Sequence, residues 1–173
     1  MYKRQHQDPG FPGNSSNAHD IGVIDFTGWA VTPADVWTFT PATLPTAGQL
    51  DQIGARTLDA LPWWVVGYGT EEAARGPGGQ THPGGGVRMK AAVGFNALNK
   101  TWVRLAMNES RGFGGACYGD SGGPNIVTVG GREVVGAITR HLNAGFDCET
   151  TLWSYRLDTP AARAFLSQFL TPP

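Results

Sequence analysis

Ser121 sits in Gly115-Ala116-Cys117-Tyr118-Gly119-Asp120-Ser121-Gly122-Gly123-Pro124, the one stretch of this chain whose residue types and spacing suit nucleophilic chemistry. A serine hydroxyl attacks a carbonyl only when a base removes its proton. Acyl transfer also needs backbone N–H groups aimed at the developing oxyanion, and glycines let a chain turn tightly enough to present them. Gly119, two positions before the serine, and Gly122-Gly123 after it supply that freedom. An ordinary Gly-rich surface turn is the competing reading, and a ten-residue string that includes a cysteine is too specific for it. Asp120, adjacent to Ser121, cannot hold an imidazole against it.

The candidate bases are His6, His19, His82 and His141. His6 reads as a solvated loop residue near Pro9. His19 abuts Asp20, and on a strand the two side chains would point to opposite faces. His82 lies in a Gly-rich stretch and is expected to be exposed. His141 follows a strand ending at Thr139, where it could touch a substrate. Cys117 and Cys148 could be two buried thiols or a bridge. Two cysteines and scattered histidines lack zinc-ligand spacing, so neither a metal nor a cofactor is expected.

The elements that position these groups read as short strands. Glycine (25) and proline (12) make up about a fifth of 173 residues, which excludes a helical bundle and favours a turn-rich β protein. Apolar residues at 40% are enough for a core and argue against disorder. Thirteen Lys and Arg against fourteen Asp and Glu leave a net charge of −1, unlike a nucleic-acid binder with its clustered positive field. No apolar run approaches a membrane span.

Residues 1–20 read as loop, and Ile21 to Phe26 as a β-prone run. Thr32 to Ala47 reads as an extended connection. Strands are expected at Trp63 to Tyr68, Val87 to Phe95, Thr101 to Met107, Ile126 to Val129, Glu133 to Thr139 and Leu152 to Leu157. Gly130-Gly131 is a two-residue hairpin signal. Gly76 to Gly86, with six glycines and two prolines, reads as a mobile surface loop. Only the C-terminus reads as helix: Asp158 or Thr159 can cap it, Pro160 suits its first position, and Ala162, Phe165, Leu166 and Phe169 recur at helical spacing. The expected architecture is all-β, an antiparallel barrel or sandwich finished by one packed helix.

The string Cys117 to Pro124 resembles the nucleophile motif of the trypsin/chymotrypsin-like serine proteases. His19-Asp20-Ile21-Gly22-Val23-Ile24 is similar to that family's triad-aspartate strand, and Trp64 to Gly69 to a second-barrel strand ending in Gly-aromatic-Gly. Val134 to Thr139 and Tyr155 to Asp158 resemble its last two strands. The resemblance implies a double antiparallel β-barrel with a C-terminal helix. Residues 1–45 would hold a remnant of the first barrel and the connection, and 46–173 the second barrel with the helix. It makes Ser121 the nucleophile, the N–H groups of Gly119 and Ser121 the oxyanion hole, and Asp20 the residue that orients the imidazole. It pairs Cys117 with Cys148, which implies an oxidising compartment and hence secretion. Where members mature by cleavage, the residue matching Asp120 pairs with a freed N-terminus. Gly115 stands at the pocket floor where trypsin-type members have an aspartate, so no preference for Lys or Arg is expected. Thr139, Arg140 and His141 stand where the pocket wall would be.

The chain departs from the pattern in one respect: no Thr-Ala-Ala-His-Cys-like segment precedes Asp20. Either the sequence begins downstream of that segment or the chain is an inactive relative; survival of Asp20, Gly119 and Ser121 favours the first. The function implied is a secreted, monomeric serine endopeptidase acting on peptide or protein through an acyl-enzyme on Ser121, with little activity in this chain because the histidine is missing. The alternative is a non-catalytic, protease-like module that holds a peptide in its cleft. Gly119 to Gly123 also fits the α/β-hydrolase G-x-S-x-G, but Gly122-Gly123-Pro124 followed by Ile126 to Val129 cannot start the helix that fold requires.

Overall fold

A computed structural model describes residues 4–14, 16–25, 42–71, 74–143, 148 and 150–173, with only the backbone described at 75, 80 and 141–143. Its elements run β1 (Arg4–Gln7), β2 (Gly22–Asp25), α1 (Gln49–Ile53), α2 (Ala55–Ala60), β3 (Trp63–Gly67), β4 (Ala74–Gly76), β5 (Gly79–Thr81), β6 (Met89–Leu98), β7 (Trp102–Ala106), β8 (Pro124–Val129), β9 (Arg132–Asn143), β10 (Thr151–Arg156) and α3 (Pro160–Leu166). Six strands close into an antiparallel barrel in the order β10-β7-β6-β3-β8-β9, with β9 pairing β10 to complete the ring. β1 and β2 form a separate antiparallel ribbon, and β4 and β5 a small hairpin.

The barrel follows from period-two burial. Trp63 and Val65 on β3, Val103 and Leu105 on β7, Val127 on β8 and Leu152 on β10 point inward. Leu50 of α1 and Leu58 of α2 complete this core, and the Trp63 indole N–H donates to the Leu58 carbonyl at 3.0 Å. Gly130 and Gly131, at φ 56° and 79°, make the β8–β9 turn of the kind their pairing signals. α3 starts as its sequence dictates: Thr159 Oγ1 accepts from Ala162 N at 3.2 Å, Pro160 opens the helix, and Ala162, Phe165 and Leu166 are buried.

Three expectations need correction. Residues 4–7, read as loop, form β1; its Arg-Gln-His-Gln sequence has no apolar alternation, because this strand lies largely exposed and is held by pairing with β2. Residues 49–60, not read as helix, form α1 and α2. Each is under two turns long, and Gly54 at φ 77° separates them, so no helical period accumulates. Within the expected loop 76–86, Gly79–Thr81 pairs with Ala74–Gly76. Of the expected connection from Thr32 to Ala47, residues 32–41 lie outside the described residues. At its other end Thr43 bridges Val134.

A second apolar cluster lies outside the barrel. Ala18 and Ile21 from the ribbon segment, Trp102 and Tyr155 from the barrel wall, Leu157, and Ala162, Phe165 and Leu166 of α3 pack together. This cluster fixes the ribbon, and with it Asp20, beside β9.

The barrel end is closed by a buried ion network. Arg156, 2% exposed, donates through Nε and Nη2 to the fully buried Asp158, through Nη1 and Nη2 to Asp51, and through Nη1 to the Asn99 carbonyl. Asp158 also accepts from Leu50 N at 2.9 Å, which anchors α1. Burial opposes the charge on Arg156, and the hydrogen bonds it donates to Asp158 and Asp51 more than offset that, holding its pKa above the usual value. Asp158→Ala is expected to destabilise the fold by about 3–5 kcal/mol, because it leaves a buried guanidinium without its one buried counter-ion and frees the Leu50 N–H. Asp51→Ala, at a carboxylate 66% exposed, should cost about 1 kcal/mol or less. Urea denaturation of the two variants checks the contrast.

Candidate active site

The turn that carries Ser121 is organised by the carboxylate beside it. Asp120 Oδ1 accepts from Gly69 N at 2.7 Å, and Oδ2 accepts from Cys117 N at 2.8 Å. The two bonds tie the end of β3 to the loop before Ser121. Asp120 N donates to the Cys117 carbonyl at 3.1 Å, and Gly123 N to the Asp120 carbonyl at 2.9 Å. The turn is then zipped to β9: Gly122 N donates to the Thr139 carbonyl at 2.8 Å and Thr139 N to the Gly123 carbonyl at 2.9 Å. Both oxygens of Asp120 are thus engaged by amides of this chain.

Two glycines of this region are explained by the same carboxylate, and three by the backbone around it. A Cβ on Gly67 would stand 1.8 Å from Asp120 Oδ1, and one on Gly69 2.6 Å from Asp120 Cγ. A Cβ on Gly123 would meet the carbonyl oxygens of Val66 and Asp120 at 2.7 and 2.8 Å. Gly119 and Gly122 adopt φ of 96° and 83°, which a side chain would strain. Between them Ser121 is exposed, and its hydroxyl donates to the Arg140 carbonyl at 3.3 Å. Among the described residues, neither the Gly119 N–H nor the Ser121 N–H is taken by a hydrogen bond. Two amides flanking an exposed hydroxyl are the groups an oxyanion would need.

Asp20 shares a cavity of about 570 Å³ with Ser121, Thr139 and Arg140; it lies between the β1–β2 ribbon and β9. The Asp20 carboxylate pairs with Arg140 Nε at 2.6 Å, and the guanidinium lies over the Trp102 ring, 4.8 Å from its centroid. Arg140 therefore links Asp20 to Ser121: its side chain meets the first and its carbonyl the second. Thr139 is buried and accepts from Asn125 Nδ2 at 3.0 Å. Gly115 does not join this group. It lines a different cavity, of about 490 Å³, where a Cβ would stand 2.2 Å from Met107 Sδ. His141 lies on β9 opposite Trp153, and its side chain is outside the described residues.

Of the other histidines, His6 and His82 are less exposed than their sequence context suggests, and His19 turns away from Asp20 as expected. His6 is half-buried on β1, with its ring 4.6 Å from that of Phe169. His19, at φ 50°, pairs through Nδ1 with the buried Asp8 at 2.9 Å rather than with Asp20. His82 is half-buried, with Nδ1 3.5 Å from Cys117 Sγ. Cys117 and Cys148 form a disulfide, with Cα atoms 5.3 Å apart. Sequence reading missed the Asp20–Arg140 pair and the approach of His82 to the cysteines, because only tertiary packing brings those residues together. The glycines at 67 and 69 were the visible trace of the Asp120 cradle.

No protein-family model matches the chain, and no curated protein matches it.

Gly67→Ala is expected to destabilise the protein by about 1–3 kcal/mol, since its methyl group would displace a doubly hydrogen-bonded carboxylate. Gly78→Ala, where nothing lies within 4 Å, should fall within about 0.5 kcal/mol of the parent. Urea titration gives the stabilities. Faster amide exchange at Gly69 and Cys117 in the first variant alone would locate the disturbance.

Proposed function

We propose that this chain carries the nucleophile half of a serine endopeptidase of the trypsin-like, double β-barrel type, acting on peptide or protein substrates. One observation carries the reading: Ser121 stands exposed in a carboxylate-braced turn, flanked by two amides that no other described residue engages. Attack of Ser121 Oγ on a carbonyl carbon would place the oxyanion against the N–H groups of Gly119 and Ser121. Loss of one such donor typically costs about 2.7–4 kcal/mol of transition-state stabilisation. The six-stranded barrel, the terminal helix and the position of the disulfide support the same reading. A disulfide also fits an oxidising, extracellular setting. Among the described residues no helix is long and apolar enough to cross a membrane.

Proton transfer is the incomplete part. The reading needs an imidazole between Asp20 and Ser121, with Asp20 holding its tautomer and its other nitrogen taking the hydroxyl proton. The described contacts commit His19 to Asp8 and set His6 against Phe169 and His82 against the disulfide. Without an imidazole in that place, turnover is expected to be lower by on the order of 10⁶ than with a positioned base.

A second reading has its own support. With the Asp20 carboxylate already paired to Arg140, the cleft suits a protease-like module that binds a peptide without cleaving it.

A fluorophosphonate probe separates the two. Slow labelling at Ser121, absent in Ser121→Ala, is expected. Added imidazole should accelerate it roughly tenfold, part of the 10²–10⁴ that a positioned general base supplies. Arg140→Ala should enlarge the imidazole effect by freeing Asp20. Absence of label at Ser121 with and without imidazole would favour the binding module.

A further inference from the structure

His82 comes to the disulfide from a loop that is itself fastened. Glu71 N donates to the Pro83 carbonyl and Gly86 N to the Tyr68 carbonyl, each at 2.8 Å, and the imidazole stands edge-on to Tyr118 with centroids 4.6 Å apart. A ring nitrogen of His82 and the sulfurs of Cys117 and Cys148 all lie within 4.8 Å of one another. Both cysteines are less than a tenth exposed, while His82 is half-buried, so the cluster is closed on the protein side. While the sulfurs are bonded to each other they are poor ligands, since metals bind the thiolate.

We propose that reduction of the Cys117–Cys148 disulfide turns this cluster into a three-ligand zinc site, with its fourth position open to water. A dithiol supplies two electrons: the S–S bond breaks, both sulfurs take up protons, and the dithiol leaves as its own disulfide. Zn²⁺ then displaces those two protons as the thiolates and His82 Nδ1 coordinate it. Two thiolates and an imidazole are a donor set suited to zinc. The geometry is half-formed already. Zn–N of about 2.0–2.1 Å and Zn–S of about 2.3 Å at a tetrahedral angle put nitrogen and sulfur about 3.5–3.6 Å apart. The observed separation of His82 Nδ1 from Cys117 Sγ is 3.5 Å. What remains is for the sulfurs to part, by rotation of side chains rooted 5.3 Å apart, and for Cys148 Sγ to take its own place beside the imidazole. This site does not depend on the endopeptidase reading. It would nonetheless act on the same turn, because Cys117 N is one of the two donors to Asp120.

The test uses the full chain reduced with a water-soluble phosphine, which becomes its oxide as water supplies the oxygen and the two thiol protons. Co²⁺ is titrated in without air, and Zn²⁺ is then added. One Co²⁺ per chain is expected, with thiolate-to-metal charge-transfer bands and intense tetrahedral d–d bands that Zn²⁺ abolishes. The disulfide form should bind none. His82→Asn should weaken binding by at least about tenfold, the lower end of what even outer-shell changes cost a metal site. Cys148→Ser should abolish the tetrahedral spectrum. No binding after reduction, or equal binding by His82→Asn, would overturn the proposal. Loss of the near-ultraviolet circular dichroism on reduction alone would do so as well, since the three ligands would no longer be held together.

Discussion

A single carboxylate holds the candidate site in shape. Asp120 accepts one backbone N–H on each oxygen, from segments that lie far apart in sequence, and the turn carrying Ser121 exists in its observed form because of those two bonds. Hydrogen bonds to a charged group contribute about 1.5–3 kcal/mol each, roughly twice a neutral pair, so the amides of Gly69 and Cys117 are strongly fixed. The cost appears in the sequence as lost side chains. Gly67, Gly69 and Gly123 have no room for a Cβ, and Gly119 and Gly122 take backbone angles that disfavour one. Gly67 and Gly69 are therefore the imprint of a half-buried carboxylate, while the glycines beside Ser121 answer to the backbone of the turn itself.

The rest of the molecule keeps that turn in register with Asp20. β9 receives the turn through Thr139 on one side and presents Arg140 to Asp20 on the other. The ribbon that carries Asp20 is held by Ala18 and Ile21, packed on Trp102, Tyr155, Leu157 and the face of α3. α3 in turn follows directly from Asp158, whose buried pair with Arg156 anchors α1 and the barrel end. Burying an ion pair is seldom a net gain over apolar packing, but here all five guanidinium donors find acceptors, which limits the desolvation penalty.

Sequence reading recovered whatever has a local physical signal. The barrel strands showed in β-branched runs between turns, the β8–β9 hairpin in Gly130-Gly131, and α3 in Thr159-Pro160 followed by spaced apolar residues. It failed where the signal is absent or non-local. β1 is polar and held by its partner; α1 and α2 are too short to show a period; the β4–β5 hairpin is written in the same glycines that suggest a loop. At the site, the turn around Ser121 was legible because its glycines lie within a few residues of one another. The salt bridge of Asp20 to Arg140 and the place of His82 were not, since each joins residues from different parts of the chain.

Arg140 is where the two functional readings meet, and the energies of its contacts set how they compete. Its pairing with Asp20 is short, but the two side chains are 37% and 25% exposed, so water screens the attraction and the pair contributes about 1 kcal/mol or less. The stacking of the guanidinium on Trp102 adds about 0.5–1 kcal/mol and does not require Asp20 at all. An imidazole entering between Asp20 and Ser121 would gain a charge-assisted hydrogen bond to the carboxylate and a weaker one from the hydroxyl, together larger than the pair they displace. The guanidinium could remain on the indole face while losing only its carboxylate. Occupation of Asp20 by Arg140 is thus a weak lock: it satisfies the carboxylate in the absence of a base and yields to one that arrives with the right geometry.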